Sequence, residues 1–268
     1  TTEIYTLSLH DALPILGRAY LESAKLIADP EESDALISQA AADLRTAQAL
    51  NPLNTDHTAN LARLYSVWAN SASDPILQDE RAAISEAYFE QALKLSPNNA
   101  RLWNEWAMLY LNILSQPEKA YERIKTALAL DPSYDWSYAL LGDYYSSLAA
   151  QTSGAQARVE ALQNAAAAYQ NALQRAGPES SSLRFNYALA LGSIQMQLGQ
   201  LEAADQSLSL ALNLAQPEEK WRAFEALAFN AHQKGELAKA REYASQALEA
   251  APEAAKDRLR QSLDRLSD

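Results

Sequence analysis

Three histidines are the first residues that could bind a metal or move protons. His10, His57 and His232 stand far apart, and none has a second ligand type at helical spacing. A metal site is not expected from them, and surface positions are. The chain has no cysteine, which excludes thiolate metal sites, cysteine nucleophiles and disulfides together. No serine lies in a Gly-x-Ser-x-Gly turn. The seven glycines are scattered and form no phosphate-cradling loop. The carboxylate pairs Glu31-Glu32 and Glu218-Glu219 are expected to precede helices, where negative charge complements the positive end of the dipole. Catalytic carboxylates need a shaped pocket instead. These residues predict no catalytic group, no metal and no cofactor.

The elements that carry them are helical. Of 268 residues, 48% are hydrophobic and only 7 are glycine, a balance that favours helix over a turn-rich barrel or sandwich. The formal net charge of −12 repels phosphate backbones and anionic lipid surfaces, so nucleic acid is not an expected partner. No run approaches the ~18 apolar residues that a membrane span requires.

Two phrases recur along the chain. The second-helix phrase is a small residue, a bulky apolar residue four places on, an alanine three places later, then a turn with proline. It reads Ala40, Leu44, Ala47 and Pro52, then Ser85, Phe89, Ala92 and Pro97, then Ala120, Ile124, Ala127 and Pro132. It continues as Ala165, Tyr169, Ala172 and Pro178, then Ala204, Leu208, Ala211 and Pro217, then Ala240, Ala244, Ala247 and Pro252. Spacings of three and four put these side chains on one helix face, where alanine permits a close neighbour. Proline then fixes the stop. The first-helix phrase precedes each of these: Leu16-Gly17 with Tyr20, Leu61-Ala62 with Tyr65, Trp106-Ala107 with Tyr110, and Leu141-Gly142 with Tyr145. Leu191-Gly192 and Leu227-Ala228 complete the series, with Gln195 and Ala231 at the aromatic place.

The paired phrases resemble the tetratricopeptide repeat (TPR) family from about Leu16 to Pro252. The resemblance implies an all-α, right-handed α-solenoid of about six helical hairpins, with units near 16–52, 53–97, 98–132, 133–177, 178–217 and 218–252. Residues 253–268 read as a C-terminal capping helix, with Leu259, Leu263 and Leu266 on one side. The prolines stand about 45, 35, 46, 39 and 35 residues apart, against about 34 in the family. The first, second and fourth units therefore carry inserts, near 27–36, 67–78 and 147–156, expected to form longer hairpins with polar tips.

In that family the first helices line a concave groove that receives a peptide or protein. The corresponding places here are Asn60 and Arg63, then Arg101, Asn104 and Met108, then Trp136, Asp143 and Ser146. Asn186 and Ser193 follow, and last Arg222 and Phe229. The Lys and Asn pair with which some members grip a terminal carboxylate is absent. Most tyrosines and tryptophans fall on packing positions, whereas Trp136 and Trp221 are expected to keep part of each ring exposed. The resemblance thus implies a noncatalytic interaction scaffold with a protein or peptide partner.

A second resemblance lies in Leu50–Tyr65, which is similar to repeat tails of bacterial membrane proteins of the O-antigen ligase and polymerase type. It implies a chain attached to an upstream membrane domain that acts on lipid-linked glycans. Residues 1–15 include a stretch that resembles translated sequencing-adapter sequence and read as a non-native leader. Nothing before Leu16 is given a role.

Overall fold

Short polar side chains set where several helices begin. Asp29, Asn54 and Asp74 each accept a hydrogen bond at 2.9 Å from an amide of the first turn, and Asn99 accepts one at 3.3 Å. These bonds satisfy donors that a helix start leaves without an intrahelical partner. Pro75 and Pro117 occupy the start of their helices, where the missing amide is no loss. Glu31 and Glu32 fall inside a first turn, and Glu219 occupies the N-cap position of another helix without a side-chain capping bond.

The computed structural model describes residues 29–263, together with Ala19, Glu22, Ser23 and Ile27. The Leu16-Gly17-Tyr20 phrase, the leader, His10 and Leu266 lie outside the described residues. Twelve helices are described, with no strand among them. The chain divides between Asp131 and Pro132 into two compact units. The first holds α1 (Pro30–Leu50), α2 (Thr55–Asn70), α3 (Pro75–Leu95), α4 (Ala100–Asn112) and α5 (Pro117–Leu130). Here α2 pairs with α3 and α4 with α5, while α1 packs on α2. The second unit holds α6 (Asp135–Gln151), α7 (Ala155–Arg175), α8 (Ser181–Gln197), α9 (Leu201–Leu214), α10 (Lys220–Gln233), α11 (Leu237–Ala250) and α12 (Glu253–Leu263). Its hairpins are α6/α7, α8/α9 and α10/α11. Leu259 and Leu263 of α12 are buried in one cluster with Ala228, Ala247 and Ala251, so this helix caps the last hairpin.

The second-helix phrase is the seam of each hairpin. Ala40, Ser85, Ala120, Ala165, Ala204 and Ala240 are all buried, as are the bulky residues at the next place except Ala244, which is partly covered. The phrase's last alanine has a further role in all six repeats. The carbonyls of Ala47, Ala92, Ala127, Ala172, Ala211 and Ala247 each accept the amide of the residue that ends the helix, at 2.9–3.1 Å. Proline follows one or two residues later and blocks continuation. In the paired first helix, a β-carbon on Gly142 would lie 2.8 Å from the Tyr169 ring, and one on Gly192 would lie 2.6 Å from Leu208. These glycines let the two helices of a hairpin close.

Aromatic rings are joined across helices. Trp68 donates its indole N–H to Asp34 at 2.7 Å, the Arg81 guanidinium pairs with the same carboxylate at 2.7 Å, and it lies 4.2 Å from the Trp68 ring centre. That ties α1, α2 and α3 together. On α4, Trp103, Trp106 and Tyr110 stack in sequence, and Arg123 of α5 covers the middle ring at 4.2 Å.

Most of the described insert residues are helix. The second helices α1, α3 and α7 have 21 residues each, where α5, α9 and α11 have 14. The polar tips shrink to residues 71–74 and 152–154. Helix continues because alanine and straight-chain residues fill the added turns.

Compact hairpins turn through a left-handed residue. Gly199 (φ 70°) and Gly235 (φ 77°) take that conformation after α8 and α10, and Ser115 (φ 50°) does so after α4. A β-carbon there costs roughly 1–2 kcal/mol. Ser115→Gly is therefore expected to stabilise the protein by about 1 kcal/mol, read as a rise of a few degrees in Tm. A fall in Tm would show that the serine side chain holds the turn.

Candidate functional site

On α2 and α4, residues one helical turn apart share a face. Asn60 and Arg63 come from α2 and Arg101 from α4; the two arginines meet at Glu105, which sequence reasoning missed, and Asn60 joins through Arg63. Arg63 Nε lies 2.8 Å from Glu105 Oε2, Arg101 Nε lies 2.9 Å from Oε1, and Arg63 Nη1 donates to Asn60 Oδ1 at 2.8 Å. One carboxylate is gripped by two guanidinia, so both arginines are engaged and the trio keeps one net positive charge. Further along the same helices the face turns apolar. Val67, Met108 and Ile113, with Ser66, Asn70 and Asn112, line a recess of about 500 Å³. Asn104 does not belong to this surface: it is fully buried, because its position on α4 faces inward beside Leu102 and Trp106.

In the second unit, α6 carries Trp136, Asp143 and Ser146. Trp136 is partly covered and packs against the cluster of Ala139, Ala172 and Tyr187. Asp143 is exposed and accepts the Tyr169 hydroxyl at 2.6 Å, while Ser146 donates back to the Gly142 carbonyl at 2.7 Å. These three are committed to the hairpin at least as much as to solvent.

The face of α8 and α10 is different. Ser193, Arg222 and Phe229 line one recess of about 350 Å³, to which Met196, Glu225 and Arg258 also contribute. Asn186 joins its edge by accepting Arg222 Nη1 at 3.1 Å. Glu225 accepts Ser262 Oγ at 2.9 Å, so α12 is stitched to the same wall. Trp221 is partly covered as expected, with the Arg258 guanidinium 5.4 Å from its ring centre. Among the missed residues, Glu105, Glu225 and Met196 each sit one helical turn from a residue already singled out, a spacing that could have found them. Nothing in the spacing points to Arg258, because it enters from the capping helix.

His57 is buried at 5% exposure rather than on the surface, because it faces inward on the first turn of α2. Among the described residues no group of three or more His, Cys, Asp or Glu could hold a metal ion. No described helix is long and apolar enough to cross a membrane.

Buried phenols give the fold a defined alkaline limit. Burial, with the Glu86 carboxylate that accepts its hydrogen bond, pushes the Tyr110 hydroxyl up to about 12. Tyr169 beside Asp143 and Tyr187 beside Asp135 are raised by the same two causes, burial first. A phenol ionises near pH 10 in an unfolded chain. A raised folded value therefore gives stability that is complete below pH 10 and is lost as the pH climbs through the folded value. Tm is expected to fall steeply above pH 10. In an absorbance titration, these phenols should ionise only together with the loss of helical circular dichroism. Tyr169→Phe should flatten the decline. If it leaves the pH slope unchanged, another group carries it.

No protein-family profile and no curated protein matches the chain. Solved structures do. A thermophilic TPR protein of Thermus thermophilus is 25% identical, with a TM-score of 0.57, covering 80% of this chain and 99% of its own. PilF of Pseudomonas aeruginosa is 18% identical, with a TM-score of 0.63 and coverage of 89% and 90%. PilW, a type IV pilus biogenesis factor, is 17% identical, with a TM-score of 0.65 and coverage of 98% and 100%. The fold is that of TPR proteins. The likeness of Leu50–Tyr65 to ligase-type tails is not shown by these structures. Within this chain, those residues supply the turn after α1, the Asn54 cap and the buried Leu61, Ala62, Leu64 and Tyr65.

Proposed function

We propose that this chain is a noncatalytic interaction scaffold that receives a peptide or protein on the first-helix faces of its hairpins. One observation supports the reading: three residues chosen only by their place in the repeat line one recess, and a fourth lines another. Met108 lines the recess on α2 and α4, and Ser193, Arg222 and Phe229 line the one on α8 and α10. Each recess combines apolar side chains with a few polar groups, which is the usual composition of a binding site. A few aromatic, methionine and arginine anchors would then supply most of the affinity.

The test is capture of partners by the purified chain with chemical crosslinking, repeated with Arg63→Glu/Arg101→Glu. Both substitutions set a new carboxylate beside Glu105, so the trio changes from one net positive charge to three negative charges. Captured partners are expected to drop about tenfold or more, which corresponds to about 1.4 kcal/mol, while helical circular dichroism is retained. Capture no better than blank resin would sink the scaffold reading. Capture unchanged by the reversal would remove the α2/α4 face from it.

A further inference from the structure

The two faces use their arginines differently. On α2 and α4, Arg63 and Arg101 are both spent on Glu105. In the recess on α8, α10 and α12, neither Arg222 nor Arg258 has a carboxylate partner among the described residues. Both guanidinia are nevertheless held in place. Arg222 lies 5.2 Å from the centre of the Phe185 ring and donates one N–H to Asn186, and Arg258 lies over Trp221. A guanidinium stacked on a ring keeps its edge donors for another group, and five donors in a fixed fork suit a carboxylate.

Leu189, Met196 and Phe229 add apolar side chains to the same lining. Glu225 also lines the recess, and one of its oxygens is taken by Ser262. The lining therefore holds two arginines against one glutamate, in a chain whose net charge is −12. The cations are pinned on two separate rings from two helices, so they offer two points of attachment and not one convergent grip. The volume of about 350 Å³ is at the small end of ligand-sized pockets.

We infer that this recess takes an extended peptide segment with an acidic side chain on each side of one apolar side chain. The apolar group packs on the apolar side chains of the lining, and each carboxylate meets one guanidinium. The inference rests on the scaffold reading and names the chemistry of its ligand in the second unit.

The experiment selects binders from a random peptide library displayed without free C-termini, using the whole chain and its Arg222→Gln/Arg258→Gln variant. Enriched sequences should carry the acidic–apolar–acidic pattern, and the variant should lose them. A capped, fluorescent Glu-Phe-Glu peptide, N-acetylated and C-amidated, is then measured by anisotropy. It should bind at least tenfold more tightly than its Gln-Phe-Gln and Glu-Ser-Glu counterparts. Binding should weaken with added salt, and each single Arg→Gln change should cost about fivefold or more. Glu225→Gln should tighten binding, a direction that loss of structure would not produce.

No enrichment, neutral or basic enriched sequences, or equal binding of the Glu and Gln peptides would overturn the inference. A requirement for a free C-terminal carboxylate would overturn it as well. If the double variant still captures protein partners while the peptide pattern is absent, the scaffold reading stands and the acidic ligand falls.

Discussion

Phe185→Ala is expected to remove about 3–5 kcal/mol of stability, the largest loss from any single truncation proposed for this chain. Phe185 is wholly buried on α8, in a cluster with Ala188, Ala211 and Ala223 drawn from α8, α9 and α10. The other buried residues of that cluster are alanines on three helices, while Leu173, Leu189, Leu210, Leu212 and Leu214 pack around it and could relax only in part. The cost should thus fall within the range for a deleted ring. At roughly 2–4 °C per kcal/mol for a chain of this size, Tm should drop on the order of 10 °C. Because each repeat contacts mainly its neighbours, hydrogen exchange should accelerate first in α8, α9 and α10. Phe185→Leu should recover most of the loss. A truncation that costs less than about 1 kcal/mol would mean that the helices close over the gap. The same ring supports Arg222, so any affinity for an acidic peptide should suffer even where the fold survives.

The second large effect concerns a close contact between two helices of the second unit. Gly192→Ala places a β-carbon 2.6 Å from Leu208 and 3.4 Å from the Ala204 carbonyl oxygen. The substitution gains roughly 1 kcal/mol of helix propensity, but overpacking costs about 1–3 kcal/mol and should win. Leu208→Ala alone should cost about 2–5 kcal/mol, since Leu208 is fully covered. Combined, the two should cost clearly less than their sum, because the added methyl enters the space the leucine vacates. Denaturant melts of the four proteins measure this coupling. Strict additivity would show that α8 and α9 separate instead, and that contact would not fix their spacing.

The hairpin seam was legible because its physics is local. A small residue, a bulky one and an alanine at spacings of four and three read directly as one helix face, and proline gives the stop. The glycines at 142 and 192 were readable as close contacts for the same reason. The partner of Arg63 was not, because Glu105 lies 42 residues away, in the next hairpin. Spacing puts Glu105 one turn from Arg101, but only stacking of α2 on α4 brings Arg63 to it. Asn104 illustrates the opposite error. A polar residue at a groove place looks solvated in sequence, yet the turn of α4 carries it fully into the packed side. The inserts resembled polar tips because they contain Ser, Asp and Gly, but those residues cap two ends of longer helices. Arg258 was invisible for want of any repeat to which the capping helix belongs.

The long hairpins end in short tips, at residues 71–74 and 152–154, far along the chain from the alanine seam. Their two ends should therefore tolerate inheritance differently. At a tip, extra residues add mainly loop-closure entropy, about 0.6 kcal/mol for each doubling of length. One residue inserted between Ala165 and Ala172 would instead rotate the following face by roughly 100° and carry the alanine out of the seam. Over generations, and equally at a designer's bench, the tips are where this chain can lengthen, receive a grafted epitope or accept a fused domain. The proline-marked ends must keep their count.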